Sequence, residues 1–193
     1  MAASNDRYSS VAITLHWIIA LLLLSNIGIA WYFNTLHGVA RFSPIALHQS
    51  IGLTVLVLSL ARLAWRLVNP PPKLPDYVTG WEKVLSTIVH WGFYVVMIGL
   101  PLTGWAMRSA SPLRHIVPIQ LFFIPWPEIG PLASMAPDQA KSAEHLFETA
   151  HGLLGKLAYG LIALHVAGAL KHQFISRDDV VARMIPLLKR KAV

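Results

Sequence analysis

The sequence predicts an all-α fold, a transmembrane four-helix bundle, and three observations carry the prediction. Four apolar stretches each supply the ~20 residues that a membrane-spanning helix requires. Only 13% of the 193 residues are charged and 55% are hydrophobic, whereas soluble domains average roughly 25% charged residues. Mean hydropathy is +0.54. Histidines recur inside the apolar stretches, and they cluster at two depths. Backbone groups in lipid must be satisfied within the segment, so the spans are helices. Residues 1–193 read as a single membrane domain.

The first span covers residues 11–33. It is too long for a signal peptide and lacks a small-residue cleavage pattern, so it is read as retained. The second, 45–68, stops at Asn69-Pro70-Pro71-Pro72, which cannot continue a helix. The third, 84–107, contains Pro101. A kink is predicted there, with Thr103 placed to compensate the freed carbonyl. Residues 108–145 form a long Pro-rich connection with the aromatic run Phe122-Phe123-Ile124-Pro125-Trp126-Pro127. This connection is expected on the outer face with a short interfacial helix. The fourth span covers 146–170, and the basic tail, 176–193, is expected to be a short surface helix. Trp31, Trp81, Trp105 and Trp126 sit near the predicted interfaces, where tryptophans form a belt.

Charge sets the orientation. Arg7 precedes span one, Arg62, Arg66, Lys73 and Lys83 flank the second connection, and Lys171, Arg177, Arg183, Lys189, Arg190 and Lys191 follow span four. The first connection holds only Arg41, and in the third Arg108, Arg114 and Lys141 are offset by Glu128, Asp138 and Glu144. The positive-inside rule then puts both termini in the cytoplasm. The formal net charge of +7 reads as topology signal and lipid-headgroup contact rather than nucleic-acid binding. The chain has no cysteine. That excludes disulfides, iron–sulfur clusters and covalently attached c-type haem.

Depth sorts the histidines into pairs. His48, early in span two, and His151, early in span four, lie near the outer side. His16, early in span one, and His165, late in span four, lie near the cytoplasmic side. His151 and His165 are fourteen residues apart, almost four turns, so they share a face and sit about 21 Å apart along it. A lone histidine in a span can simply hydrogen-bond across helices. Four that form two depth-matched pairs point instead to two bis-imidazole haems, low-spin and suited to electron transfer. Non-covalent haem also needs slots between helices, and Gly28, Gly52, Gly99, Gly104, Gly152, Gly155, Gly160 and Gly168 lie in or near the spans. Zinc fits less well, because neither depth offers a third and fourth ligand except through His90. A histidine proton relay is compatible with either reading. His90 can replace His16 or His165 as a ligand, or donate to a quinone carbonyl, an option shared by His172. Met97 is a weaker alternative ligand.

The chain resembles the prokaryotic cytochrome b561 family over nearly its whole length. The residues that carry the resemblance are Tyr8-Ser9 with Leu15-His16-Trp17, Leu47-His48-Gln49-Ser50-Ile51-Gly52, Ala61-Arg62-Leu63-Ala64-Trp65-Arg66, the Asn69-Pro70-Pro71-Pro72 loop, His90 with Tyr94, Leu100-Pro101-Leu102-Thr103-Gly104-Trp105, and Glu148-Thr149-Ala150-His151-Gly152 through Leu164-His165. The b-type subunits of membrane-bound hydrogenases and formate dehydrogenases share the four-histidine plan. The resemblance implies two haem b between helices, the outer on His48 and His151 and the cytoplasmic on His16 and His165. It implies a multi-pass protein of the bacterial inner membrane. Compact members resemble a superoxide oxidase that passes electrons to ubiquinone. Arg41, Arg108, Arg114 and Lys141 would then steer the superoxide anion. His90, His172 or Lys83 would serve the quinone, and Arg62 and Arg66 the haem propionates. The competing expectation is a non-enzymatic relay subunit with a redox protein partner. A homodimer is compatible with the small-residue faces.

Overall fold

The computed structural model describes residues 7–72, 74–75 and 77–185. Lys73 and the tail beyond Ile185 lie outside the described residues. Four helices are long and apolar enough to cross a membrane. Helix α1 spans Ser10–Asn34, with the Ser9 side chain accepting from the Ala12 amide at its start. After a 3-10 turn at Gly38–Arg41, α2 runs Phe42–Val68 and ends at Asn69, before the prolines. Helix α3, Gly80–Ala110, opens on Thr79, whose amide and hydroxyl both donate to Glu82 Oε2, at 3.0 and 2.7 Å. The one-turn α4, Gly130–Ala133, precedes α5, Pro137–Leu170.

Helix α5 starts nine residues before the expected span. Its first turns, Pro-Asp-Gln-Ala-Lys-Ser-Ala-Glu-His, are polar, so hydropathy hides a helix that projects beyond the apolar layer. Proline at its first position suits a helix start, where its missing N–H is not needed. Pro101 lies inside a continuous α3. It removes the donor to the carbonyl four residues earlier, that of Met97. The Thr103 hydroxyl instead donates to Gly99 and Leu100, at 2.7 and 2.9 Å.

Helix α3 is the spine, packing along α5 on one side and α2 on the other, while α1 packs along α2. One core cluster joins Ile19 of α1, Ile51 and Val55 of α2, and Tyr94 and Met97 of α3. The second joins Val89 and Val96 of α3 to Ala158 and Leu161 of α5. The outward faces remain apolar, with Leu21, Ile88 and Val95 about 60% exposed (65%, 61% and 59%), as a bundle in lipid requires.

The long connection folds down onto the bundle. Strands β1, Gln120–Leu121, and β2, Ile124–Pro125, form a small antiparallel hairpin. Buried Ser50 of α2 pins it, donating to the Gln120 carbonyl and accepting from the Phe122 amide, both at 3.0 Å. Trp105 Nε1 donates to the Pro127 carbonyl at 2.8 Å. At the tip Phe122 adopts φ 56°, and Phe123 is 96% exposed.

The opposite end, which carries both termini, is closed by a strap, and the described part of the tail, 176–185, forms turns where a surface helix is expected over 176–193. After α5 the chain makes a π-helical turn at Lys171–Ser176, a left-handed Arg177 and a 3-10 turn at Val181–Arg183. Lys171 pairs with Glu82, Tyr77 donates to Asp179, and Trp17 Nε1 donates to the Met184 carbonyl at 2.9 Å. These ties join the strap to α1, to α3 and to the loop before α3, and they explain why it does not continue as an independent helix.

Partial burial, followed by the hydrogen bond to Asp179, pushes the Tyr77 phenol up to about 12. Because the folded value is raised, the stabilisation is complete below the ordinary phenol value near 10 and disappears as pH rises from there toward 12. A difference titration of phenolate absorbance, wild type minus Tyr77→Phe, is expected to show one phenol ionising near 12; ionisation near 10 would mean that the tie does not form.

Candidate functional site

The bundle brings the depth-matched histidines together. Near the hairpin end, the His48 and His151 ring centroids lie 6.2 Å apart, with planes at 72°. Near the termini end, His16 and His165 lie 6.1 Å apart, at 63°. Two imidazoles on opposite sides of one metal, each bonded at about 2 Å, have ring centres roughly 6 Å apart. Both pairs therefore have the spacing that a single metal between them requires.

Ring orientation is set by backbone. His151 Nδ1 lies 2.9 Å from the Leu100 carbonyl and 3.2 Å from the Thr103 hydroxyl. His48 Nδ1 lies 3.2 Å from the Asn26 carbonyl. A carbonyl can only accept, so Nδ1 carries the proton in each ring and Nε2 keeps a free lone pair. Gly104 makes room for this arrangement. A Cβ there would stand 3.3 Å from His151 Cε1 and 3.4 Å from Nδ1. Phe33 packs on His48 with centroids 5.4 Å apart, and the Arg41 guanidinium lies 6.0 Å over the same Phe33 ring. Buried polar atoms of Arg41 (Nε) and Gln49 (Oε1 and Nε2) have no hydrogen-bond partner among the described residues.

The termini end is more crowded. His90 also contacts His165, at 5.7 Å, while its Nδ1 lies 3.2 Å from the Ser86 hydroxyl, and Phe93 packs on His165 at 5.4 Å. Beside this cluster is a cavity of about 280 Å³ whose lining includes Arg7, Tyr8, Arg62, Trp65, Arg66 and Tyr94. Arg66 lies over the Trp91 and Tyr94 rings, at 5.3 and 5.7 Å. Trp65 Nε1 donates to Ser9 Oγ at 3.0 Å, closing one wall. His90, His172 and Lys83 do not line this cavity. His172 Nδ1 is 2.7 Å from Asp178 Oδ2 within the strap, and Lys83 stands in the first turn of α3. Sequence reasoning identified Arg62 and Arg66 but not Tyr8 and Trp65 as their neighbours. Only the return of α2 to the start of α1 brings the four together.

The four outer cations separate into two kinds. Arg108 is buried and donates to the Val117 carbonyl at 2.7 Å. Arg114 donates to the Ser111 and Ala133 carbonyls, both at 3.0 Å, and lies 3.4 Å from Glu128. Both brace the connection. Arg41 and Lys141 have no carboxylate partner among the described residues. Among those residues no group of three or more histidine or carboxylate side chains converges as metal ligands.

Comparison with known proteins adds a family. The family model of prokaryotic cytochrome b561 matches residues 7–187. A probable superoxide oxidase, CybB, of Yersinia pestis is 28% identical over 189 residues, 94% of this chain and 97% of that protein. Cytochrome b561 homologs 2 and 1 of Escherichia coli strain K12 are 27% and 26% identical, over 93% and 95% of this chain and 92% and 99% of their own.

Gly104→Ala is expected to lower Tm, because overpacking at about 1–3 kcal/mol outweighs the gain in helix propensity of about 1 kcal/mol. Gly28→Ala is the control, since its Cβ would meet nothing within 4 Å, and it should leave Tm level or raised. Equal melting of the two variants would remove Gly104 from any role in placing His151.

Proposed function

We propose, from the premise that the chain belongs to the prokaryotic cytochrome b561 family, that it is a di-haem b oxidoreductase of the bacterial inner membrane. In this reading it oxidises superoxide on the periplasmic, hairpin side and reduces ubiquinone on the cytoplasmic, termini side. The observation that carries the reading is the presence of two imidazole pairs at metal-bridging separation, 6.2 and 6.1 Å, one toward each end of the bundle. Membership of the family implies haem b, and the residues fit it. His48 with His151, and His16 with His165, would hold one haem each. When bound, haem would supply one-electron redox chemistry.

The chain's own residues then do four things. The Leu100 and Asn26 carbonyls hold the His151 and His48 rings in the tautomer that leaves Nε2 as ligand. Arg41, with Lys141 farther out, draws a small anion to the hairpin end. Arg62 and Arg66, which line the cavity at the termini end, would pair with the carboxylates of a haem held there. Tyr8 and Trp65, in the adjoining cavity, leave room for a quinone ring beside donors, while His90, His172 and Lys83 remain the candidate proton donors on the same side. The balance is simple: two superoxide anions each leave as dioxygen after losing one electron, and ubiquinone takes both electrons and two protons to become ubiquinol. The superoxide step also draws support from the relative named as a probable superoxide oxidase.

A second reading, an electron-relay subunit serving a partner dehydrogenase or hydrogenase, is favoured by one feature: Lys156 of α5 is exposed and has no ion-pair partner among the described residues.

The test is stopped-flow spectroscopy of the purified protein mixed with superoxide, with and without ubiquinone. Fast reduction of b-type bands followed by quinone-dependent reoxidation supports the oxidase; two b-haems that superoxide barely reduces would discard it for the relay. His151→Ala and His16→Ala should each remove about half of the b-haem absorbance, as expected for one haem per pair. Loss of all haem in both variants would leave one haem, not two. Arg41→Glu should slow the superoxide phase several-fold at low salt and less at high salt. A rate indifferent to both the variant and the salt would eliminate steering by Arg41.

A further inference from the structure

Lys156 stands inside the fourth span, between two haem-type histidines, in the apolar run Gly-Leu-Leu-Gly-Lys-Leu-Ala-Tyr-Gly. It lies five residues beyond His151 and nine before His165. On a helix those offsets place it about 140° and about 180° around from the two imidazoles. It therefore faces away from the slot that His16 and His48 approach. It also faces away from α3, which packs against Ala158 and Leu161. Along the axis it is roughly 8 Å inward from His151. Its side chain is exposed, and no hydrogen bond or ion pair reaches it among the described residues. An ammonium turned toward lipid at that depth costs free energy, and such residues mark functional contacts by default.

The surface around Lys156 is shaped for close approach. Gly152, Gly160, Ala163 and Ala167 lie on the same side of α5 and are all exposed. A Cβ added at Gly152 or at Gly160 would meet nothing within 4 Å. Glycine in a helix interior is unfavourable by about 1 kcal/mol relative to alanine, and no contact with the described residues requires it at either position. An external helix backbone passing close over α5 would.

We propose that this face of α5 is the docking surface for one transmembrane helix of a partner protein, carrying a carboxylate at the depth of Lys156. Charge complementarity selects that occupant over a second copy of the chain. Two copies related by an axis along the membrane normal would oppose their Lys156 ammoniums. The described helices carry carboxylates only toward their ends, at Glu82 in α3 and at Asp138, Glu144 and Glu148 in α5. The nearest of these, Glu148, is eight residues away, about 12 Å along the axis, too far to neutralise the lysine at its own level. The inference does not depend on which donor reduces the haems.

The test uses the full chain in nanodiscs, labelled through Phe123→Cys, since the chain has no cysteine and Phe123 is 96% exposed. The probe is a synthetic leucine–alanine transmembrane peptide with one glutamate at mid-depth, and its twin carries glutamine. Energy transfer is expected to report about tenfold tighter association of the glutamate peptide. Lys156→Gln should abolish the preference, and Gly160→Leu should weaken both peptides by blocking approach. Equal association of the two peptides, or a preference that survives Lys156→Gln, would overturn the proposal. Self-association of the unmixed protein that Lys156→Gln strengthens would overturn it in favour of a second copy. Because the readout is association, a failed superoxide assay leaves this result intact.

Discussion

An imidazole placed in an apolar bundle must find a partner for each of its two ring nitrogens, and that requirement organises this structure. Burying an unpartnered polar group costs free energy on the order of 1–3 kcal/mol. Helix backbones are poor donors of partners, because their carbonyls are already engaged four residues along. The chain solves this at His151 by bringing the ring to the Leu100 carbonyl beside Pro101 and Thr103, over a glycine that lets α3 and α5 close in. At His48 it uses the Asn26 carbonyl of the neighbouring helix. In both cases Nδ1 is settled by protein and Nε2 keeps a free lone pair, on rings whose centroids lie 6.2 Å apart. The Pro-Leu-Thr-Gly segment of α3 thus serves a histidine on another helix.

The two ends of the bundle are built to different plans. At the hairpin end the connection is bolted down by Ser50, Arg108 and Arg114. Two of the four cations there are consumed in bracing and present no free guanidinium edge to a solute. Arg41 and Lys141, by contrast, have no carboxylate partner among the described residues. At the termini end a third imidazole, three arginines and a cavity gather beside the His16–His165 pair. The strap closes the same end through the Lys171–Glu82 and Tyr77–Asp179 contacts. One end is therefore braced by its connection, and the other combines an arginine-lined cavity with a cluster of three imidazoles.

Much of this was legible in the sequence, for reasons of period and depth. Four long apolar runs can only be spans, and the fourteen-residue spacing of His151 and His165 fixes a shared face whatever the loops do. The pairing across helices followed because depth in a bilayer is a coordinate that residue number supplies directly. What was not legible depends on chain returning from a distance. The early start of α5 is polar and carries no hydropathy signal. The strap is held by Trp17, Tyr77 and Glu82, residues far from it in sequence, so local propensity gave a surface helix instead. Arg108 and Arg114 read as loop charges because nothing local announces the carbonyls of Val117 and Ala133 as their acceptors. Lys156 is the opposite case. Its position in an apolar run is plain in the sequence, but which face of α5 it occupies relative to the other helices is set only by how α3 packs against Ala158 and Leu161.

Lys156 also constrains how α5 can be understood. The helix carries inward-facing imidazoles on one side, at His151 and His165, and α3 packs against it through Leu154, Ala158 and Leu161. Toward α1 it offers Tyr159, which accepts from Trp31 Nε1 at 3.0 Å. Those three duties occupy roughly half of the helix circumference. The remaining half needs only to be apolar for the protein to sit in lipid, and leucine would satisfy that at every position. Glycine there costs helix propensity and lysine costs solvation, and no contact with the described residues offsets either. A surface that is costly in isolation and unused by its own fold is best explained by a contact that the isolated chain does not contain. The same helix that aligns both imidazole pairs would then also present them at a fixed distance from whatever docks, which ties partner geometry to electron-transfer geometry through one rigid element.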